Sequence, residues 1–182
     1  MKRKRFLTFG SVLLSLLLST LNFSDIDFLY GPGYGAKVVS IADGDTITVV
    51  RRKRKVKVRL YGIDCPEKLQ EYGTQARAKT VTLTKGQLVS IIPVHQDRYG
   101  RTVAYVLLQD GTNLNYTLVS EGYAWWFRAY AKKDAQFACR EILARVRRKG
   151  LWSSDDAIAP WLFRKGLSIS KSADDDDDDV VY

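Results

Sequence analysis

Histidine and cysteine are scarce in this chain of 182 residues, which holds one histidine and two cysteines. A single imidazole excludes chemistry that needs two, and one histidine with two cysteines cannot build the usual four-ligand zinc site. Two cysteines are also too few for a small fold held together by disulfides. The protein therefore needs an ordinary hydrophobic core, and its length is sufficient for one domain with tails.

Long apolar runs are also lacking. The uncharged stretch Phe6–Ser24 has an apolar centre of 13 residues, Phe6–Leu18, whereas a membrane-spanning helix needs roughly 20. Four cationic residues, Lys2–Arg5, precede it, which is typical of a signal peptide. Because no small-residue cleavage triplet follows, residues 1–24 could be a cleaved signal peptide or a retained membrane anchor. Both alternatives predict an exported protein, either secreted, periplasmic or anchored in the cell envelope.

Negative charge is concentrated at the C-terminus. Six of the 20 acidic residues form the run Asp174–Asp179, so 14 remain against 29 Lys and Arg. Such a basic surface suits a polyanion or an anionic membrane. Residues 168–182 cannot bury enough apolar surface to fold and are predicted to be a disordered tail. The glycine-rich segment Gly31–Gly35 predicts a linker over 25–36, which leaves residues 37–167 as the folded domain.

Short β-type runs separated by turn signals dominate the predicted domain. The last predicted helix places Ala135, Cys139, Ile142 and Val146 at the spacing of a core-facing side. Five short strands with a helix after the third predict an α+β fold, namely a five-stranded β-barrel of the oligonucleotide-binding type with about three packed helices. The predicted strands are Val38–Ile41, Thr46–Val50, Val56–Tyr61, Leu88–Val94 and Thr102–Leu108, and the predicted helices are Tyr72–Lys85, Asn113–Ser120 and Asp134–Lys149.

Three short segments contain the residue types that phosphodiester hydrolysis needs. Asp45 and Asp64 supply two carboxylates for a hard divalent cation. Glu67 is suited to orienting or deprotonating a water molecule. Arg59 and Arg101 are each suited to binding phosphate oxygens. Taken singly, each segment is better explained as a turn or the end of a strand, so the prediction depends on their combination.

The same segments resemble, in order, the conserved blocks of the thermonuclease or staphylococcal nuclease family. The resemblance covers about Lys37 to Trp161, and six blocks in this order are far more specific than any one of them. It implies a five-stranded barrel of the oligonucleotide-binding type with three helices. It also implies a calcium-dependent endonuclease that acts on DNA and RNA with little sequence specificity and leaves 3′-phosphate ends. The blocks are Asp43–Thr46, Arg59–Glu67, Tyr72–Gly73, Asp97–Arg101, Glu121–Trp126 and Gly150–Ser153.

Carried over by position, the resemblance implies a calcium site. Asp45 and Asp64 match the family's calcium carboxylates, and the main-chain carbonyl of Cys65 matches a third protein ligand. Two carboxylates and a carbonyl form a sparse set of ligands, so we expect a dissociation constant of about 0.1 to 1 mM, as in extracellular calcium sites.

The resemblance also implies the catalytic residues. Glu67 matches the residue assigned as the general base, and Arg59 and Arg101 match the two arginines that bind the scissile phosphate. The expected partners are DNA and RNA, with no obligate protein partner and with membrane anchoring through residues 1–24 as an open alternative.

The substrate-binding residues are matched less completely. Arg98 and Tyr99 match positions near a terminal phosphate, and Tyr130 matches a tyrosine on the base side. Arg128 stands where a second substrate-side tyrosine is expected. The chain thus keeps the family's catalytic set and departs from its pattern at the edge of the site.

Two other classes of function remain open from the sequence. A catalytically silent nucleic-acid-binding module on the same barrel would be favoured if Arg59, Glu67 or Arg101 were missing, and all three are present. An envelope protein that binds anionic lipid through its basic surface would not need the paired acidic residues. The sequence also leaves open whether Cys65 and Cys139 form a disulfide.

Overall fold

The computed structural model describes residues 32–166. The predicted signal or anchor segment 1–24, residues 25–31 of the predicted linker and the predicted tail 168–182 lie outside the described residues. Between residues 32 and 166, no helix combines the length and apolar character needed to cross a bilayer.

The strands form a closed barrel and one small separate sheet. The strands are β1 (Tyr34–Ile41), β2 (Thr46–Arg51), β3 (Arg54–Leu60), β4 (Ile63–Asp64), β5 (Leu88–Gln96), β6 (Thr102–Leu107) and β7 (Trp125–Trp126). In the barrel, β1, β2, β3, β6 and β5 follow one another, and all neighbours are antiparallel except β3 and β6. This order confirms the predicted five-stranded barrel. The separate sheet pairs β4 with β7.

Strand β1 begins at Tyr34, four residues before the predicted first strand Val38–Ile41, so the predicted start of this strand is wrong. Residues 34–37 pair with Leu88–Ile91 of β5 and help to close the barrel. The guanidinium of Arg51 also lies 3.9 Å above the centre of the Tyr34 ring. Pairing and ring contact therefore outweigh the poor strand propensity of Gly35.

The barrel interior follows the alternation that the sequence predicts for strands. In β3, Val58 and Leu60 are buried, Lys57 is exposed and Arg59 is half-buried. Alternate side chains of a strand point to opposite faces, so one face fills the barrel and the other is available to solvent and to the site. The buried interior of the barrel includes Val38, Ile47, Val49, Val58, Leu60, Ile91, Ala104 and Val106.

The predicted helices are present, and a short fourth helix follows them. The helices are α1 (Gly73–Thr84), α2 (Leu114–Ser120), α3 (Ala135–Val146) and the single turn α4 (Pro160–Phe163), with a 3₁₀ turn at Gly150–Ser153. Asn113 caps α2 by accepting a hydrogen bond from the main-chain N–H of Tyr116, and Asp134 caps α3 by accepting from the main-chain N–H groups of Gln136 and Phe137. Gly86, with φ +77°, lies just beyond the C-cap of α1, as predicted.

The predicted core side of α3 is wrong. Ile142 is 59% exposed and Val146 is 76% exposed, whereas Phe137, Glu141 and Ala144 are buried. Phe137 faces inward because its ring packs edge-on against Tyr116 with centroids 4.7 Å apart. The helix is therefore oriented by one aromatic ring and one buried carboxylate rather than by its aliphatic stripe.

The two cysteines are free thiols, one buried and one exposed. Cys65 lies in the core next to Gly44, and Cys139 lies on the exposed side of α3. The disulfide that the sequence left open is therefore not formed in this structure.

Candidate active site

All nine residues that the sequence predicts for the site line one cleft of about 670 Å³. The cleft is formed by the turn between β1 and β2, the segment after β3 and the turn between β5 and β6. His95, Phe127 and Arg164 line it as well. The nine predicted residues are Asp45, Arg59, Asp64, Cys65, Glu67, Arg98, Tyr99, Arg101 and Tyr130.

Helix α1 holds the turn that carries Asp45. The hydroxyl of Thr80 donates a hydrogen bond to the carbonyl of Gly44 at 2.6 Å, and Arg77 donates to the carbonyl of Ile41 at 3.1 Å. Both helix residues lie on the side of α1 that faces the turn. The position of the Asp45 backbone is thus set by tertiary contacts to a helix rather than by the turn alone.

Glycine at position 44 is required by a close approach of the backbone to the core. A Cβ atom there would lie 2.7 Å from both Cβ and Sγ of Cys65 and 3.1 Å from the Cβ of Ala76. We expect Gly44→Ala to lower the free energy of unfolding by about 1–3 kcal/mol, the usual cost of overpacking. Gly35→Ala is the matched control, because nothing lies within 4 Å of its Cβ position. Urea unfolding of both variants checks this, and an equally small effect at both sites would contradict it.

Two buried carboxylates form the floor of the cleft. The side chains of Asp45 and Asp64 are 3% and 2% exposed. Arg59 donates from Nη2 to Oδ1 of Asp64 at 2.7 Å, and its Nη1 contacts Oδ1 of Asp45. The main-chain N–H of Cys65 donates to Oδ2 of Asp45 at 2.7 Å. The Arg59 guanidinium thus pairs with both buried carboxylates, whose charges would be strongly destabilising without cationic partners.

The small sheet fixes Asp64. Asp64 pairs with Trp125 and Ile63 pairs with Trp126 across β4 and β7. The buried carboxylate of Glu141 in α3 accepts a hydrogen bond from the main-chain N–H of Trp126 at 3.3 Å. The inward orientation of α3 therefore serves the site, because it supports the strand against which Asp64 is held.

The donor atoms of this floor suit a hard divalent cation. Carboxylate oxygens are the ligands that calcium prefers. Burial raises the pKa of the Cys65 thiol. Among residues 32–166, no three side chains of His, Cys, Asp or Glu are grouped as metal ligands. The two buried carboxylates would thus supply two of the ligands of such a cation.

The segment after Asp64 holds Glu67 at the mouth of the cleft. Its main-chain N–H donates to Oε1 of Gln70 at 3.1 Å, and Nε2 of Gln70 donates to the carbonyl of Ile158 at 2.6 Å. The half-buried Glu67 carboxylate accepts a hydrogen bond from Nη1 of Arg164 at 2.7 Å. Glu67 is thus connected to the C-terminal part of the domain in two ways.

Arg164 is the site residue that the sequence analysis missed. It follows α4, and its Nη2 donates to Oδ2 of Asp64 at 2.7 Å while its Nη1 donates to Glu67. The two partners lie 100 and 97 residues earlier in the chain. A basic residue after a short helix has no local motif that would pair it with distant acids, so the single sequence carried no signal for it.

Asp97 fixes the second predicted arginine. Its Oδ2 accepts from Nε of Arg101 at 2.6 Å, and its Oδ1 accepts from the main-chain N–H groups of Tyr99 and Arg101, both at 2.9 Å. Burial raises the pKa of Asp97, but these hydrogen bonds outweigh it and hold the pKa below its usual value. The side-chain hydrogen bond to Asp97 uses Nε of Arg101, and Arg101 lines the cleft.

The residues that the sequence predicts on the substrate side form an aromatic and basic rim of the cleft. Tyr99 and Tyr130 are 69% and 64% exposed, and Arg98 lies 4.9 Å from the centre of the Tyr99 ring. Tyr130 packs on Phe127 with centroids 4.9 Å apart. Arg128, which replaces an expected tyrosine, instead contacts the carboxylate of Glu141 at 3.4 Å.

Comparisons with known proteins agree with this geometry. The family model described as staphylococcal nuclease homologue matches residues 57–154. A Shigella flexneri protein named micrococcal nuclease is 43% identical over 141 residues, 72% of this chain and 81% of its own length. An Escherichia coli O157:H7 protein named uncharacterized endonuclease is 38% identical over 128 residues, 70% of this chain and 83% of its own. Protein ParB of Escherichia coli is 37% identical over 138 residues, 71% and 78% of the two chains. This chain belongs to the staphylococcal nuclease family of nucleic-acid hydrolases.

Proposed function

We propose that the protein is a calcium-dependent endonuclease that hydrolyses phosphodiester bonds of DNA and RNA with little sequence specificity and leaves 3′-phosphate ends. The observation that carries this proposal is the single cleft that holds the buried pair Asp45 and Asp64 together with Glu67, Arg59 and Arg101. A silent binding module would need the basic rim but would not need two buried acids at the floor of the cleft.

The two arginines bind the scissile phosphate. Arg59 extends from β3 and Arg101 from the turn before β6, so they approach from different elements. Guanidinium groups form paired hydrogen bonds with phosphate oxygens. They also neutralise the negative charge that grows on these oxygens in the transition state.

Glu67 acts as the general base toward the attacking water. Its carboxylate orients a water molecule and accepts a proton from it while the water oxygen forms a bond to phosphorus. The bond from phosphorus to the 5′-oxygen breaks, and that oxygen takes up a proton to become a 5′-hydroxyl. The phosphate stays on the 3′-oxygen. Calcium bound by Asp45, Asp64 and the Cys65 carbonyl would neutralise phosphate charge and favour deprotonation of water. No protein nucleophile is needed.

The direct test uses the full chain with single-stranded DNA and RNA while calcium is titrated against a chelator. We expect cleavage of both polymers that depends on calcium, with ends that lose phosphate to a phosphatase acting on 3′-phosphates. Cleavage in excess chelator, or ends that carry 5′-phosphate, would contradict the proposal. Binding without cleavage under every divalent cation would favour the silent module.

We also propose that the protein is exported. Lys2–Arg5 followed by the apolar Phe6–Leu18 supports export, and so does the sparse set of calcium ligands, because a site with a dissociation constant of about 0.1 to 1 mM fills outside the cytosol. We expect the protein in the medium or the envelope fraction of the cells that produce it. Mass spectrometry of its N-terminus would separate a cleaved signal peptide from an anchor, and recovery from the cytosol alone would contradict export.

A further inference from the structure

The guanidinium of Arg164 joins two carboxylates that the proposed reaction uses for different purposes. Nη2 donates to Oδ2 of Asp64 and Nη1 donates to Oε1 of Glu67, each at 2.7 Å. A second, longer contact runs from Nη1 to Oδ1 of Asp64 at 3.4 Å. Asp64 belongs to the proposed cation site, whereas Glu67 is proposed to act on water. Arg164 therefore links the proposed cation site to Glu67, the carboxylate that is proposed to orient and deprotonate water.

The position of Arg164 is fixed by contacts other than its own ion pairs. Trp161, three residues earlier, stacks on Phe127 with centroids 5.4 Å apart and planes 17° apart. It also meets Trp125 edge-on at 5.6 Å. Gln70 holds the carbonyl of Ile158 at 2.6 Å. The segment that carries Arg164 is thus packed against the loop and the small sheet that carry its two partners.

The two carboxylates differ in how much they need this contact. Asp64 is buried and already paired with Arg59, so its position is set without Arg164. The Glu67 side chain is 40% exposed, and the terminal torsion of a glutamate is broad. The planar guanidinium of Arg164 binds Asp64 through one Nη group and can orient the more exposed Glu67 through the other. A single point charge, such as the ammonium of lysine, cannot fix both carboxylates in this way.

Arg164 also has an electrostatic effect on the cation site. It places one positive charge on the same Asp64 carboxylate that a divalent cation would bind. Like charges that share a ligand repel each other, and at the edge of a cleft this repulsion is screened by water but not abolished. Arg164 must therefore lower cation affinity even if it helps catalysis.

We propose that Arg164 is a positioning residue that orients the Glu67 carboxylate beside Asp64, and that its charge weakens cation binding at the same site. This inference depends on the proposed function of the cleft. It predicts two effects of opposite sign when Arg164 is removed, namely tighter cation binding and slower turnover. General damage to the site would weaken both.

The test compares Arg164→Gln and Arg164→Lys in the full chain, with Lys165→Gln as a control that removes the same charge from the next residue. Calorimetric titration with calcium alone gives cation affinity, and steady-state cleavage of single-stranded DNA gives kcat and KM. For Arg164→Gln we expect calcium affinity to rise about 3- to 10-fold, because a repelling charge is removed. We expect kcat to fall about 10- to 100-fold, the cost of misplacing a reacting group. KM should stay within about twofold, because the phosphate-binding arginines are unchanged. Arg164→Lys should keep calcium affinity near that of the unchanged chain and recover only part of kcat.

Several results would overturn the inference. One is a joint fall in calcium affinity and kcat with a lower melting temperature, which would indicate a structural role alone. Another is unchanged calcium affinity and kcat in Arg164→Gln, and a third is an equal response of Lys165→Gln. If the unchanged chain bound no calcium and cleaved nothing, the proposed function would fail and this inference with it. Calcium-dependent cleavage by the unchanged chain with no effect of Arg164→Gln would remove the inference alone.

Discussion

Glu67→Gln is expected to lower kcat by about 100- to 10,000-fold, the usual contribution of general base catalysis, while nucleic-acid binding is retained. Glutamine has nearly the same shape and its carbonyl oxygen can still accept the hydrogen bond from Arg164, but an amide cannot take a proton from water. Single-turnover cleavage with saturating calcium measures the chemical step. Fluorescence anisotropy with a labelled single strand measures binding under the same conditions.

Glu71→Gln is the matched control for this substitution. Glu71 is exposed four residues further along the same segment and does not line the cleft. The same loss of charge there should leave turnover unchanged. Full turnover in Glu67→Gln would remove Glu67 from its proposed role, and equal losses in both variants would point to the charge of the segment rather than to proton transfer.

Substitutions of the two proposed phosphate-binding arginines are expected to have different effects on the stability of the protein, although both should impair cleavage. Arg59→Met and Arg101→Met should each reduce kcat by at least about 100-fold, because each removes hydrogen bonds to a charge that grows in the transition state. Arg59→Met should also lower the free energy of unfolding by about 3–5 kcal/mol, since it leaves the buried Asp45 without its cationic partner, while Asp64 keeps Arg164. Arg101→Met should cost only about 0–1 kcal/mol, because its partner Asp97 lies on a turn at the surface.

Urea unfolding with and without calcium checks the difference between these arginines. Calcium should restore part of the stability lost in Arg59→Met, because a ligand that binds only the folded state stabilises it. It should have a smaller effect on Arg101→Met, in which Arg59 still compensates the buried acids. Equal and small losses in both variants would show that Arg59 does not carry the electrostatic balance of the cleft floor.

The barrel was predictable because its signals are local. The alternation of Val58 and Leu60 with Lys57 and Arg59 marks one buried face, and it needs no knowledge of the rest of the chain. The boundary at Tyr34 was not predictable in this way. Gly35 argues against a strand locally, and only the pairing of β1 with the distant β5 makes it one.

The orientation of α3 shows the same limit. Its sequence has apolar residues at helical spacing, namely Cys139, Ile142 and Val146, yet in the structure these residues are exposed and Glu141 is buried. A carboxylate becomes stable in the interior only when partners from other segments reach it. Here the main-chain N–H of Trp126 and the side chains of Arg128 and Arg145 do so. The periodicity of a helix shows which of its side chains are apolar. Which of them are buried depends on the residues of other segments that pack against the helix.

The sequence by itself determined the barrel, and it predicted the nine residues that the structure brings together in one cleft, because blocks such as Arg59–Glu67 and Asp97–Arg101 set the spacing of residues along short stretches of chain. Only the tertiary structure placed Asp45 and Asp64 under one guanidinium, turned Glu141 toward β7 and brought Arg164 to Glu67. Each of these contacts joins residues far apart in the chain. Such contacts form only once the barrel and the packed tryptophans fix the path of the chain, and no local pattern of residue types encodes that path.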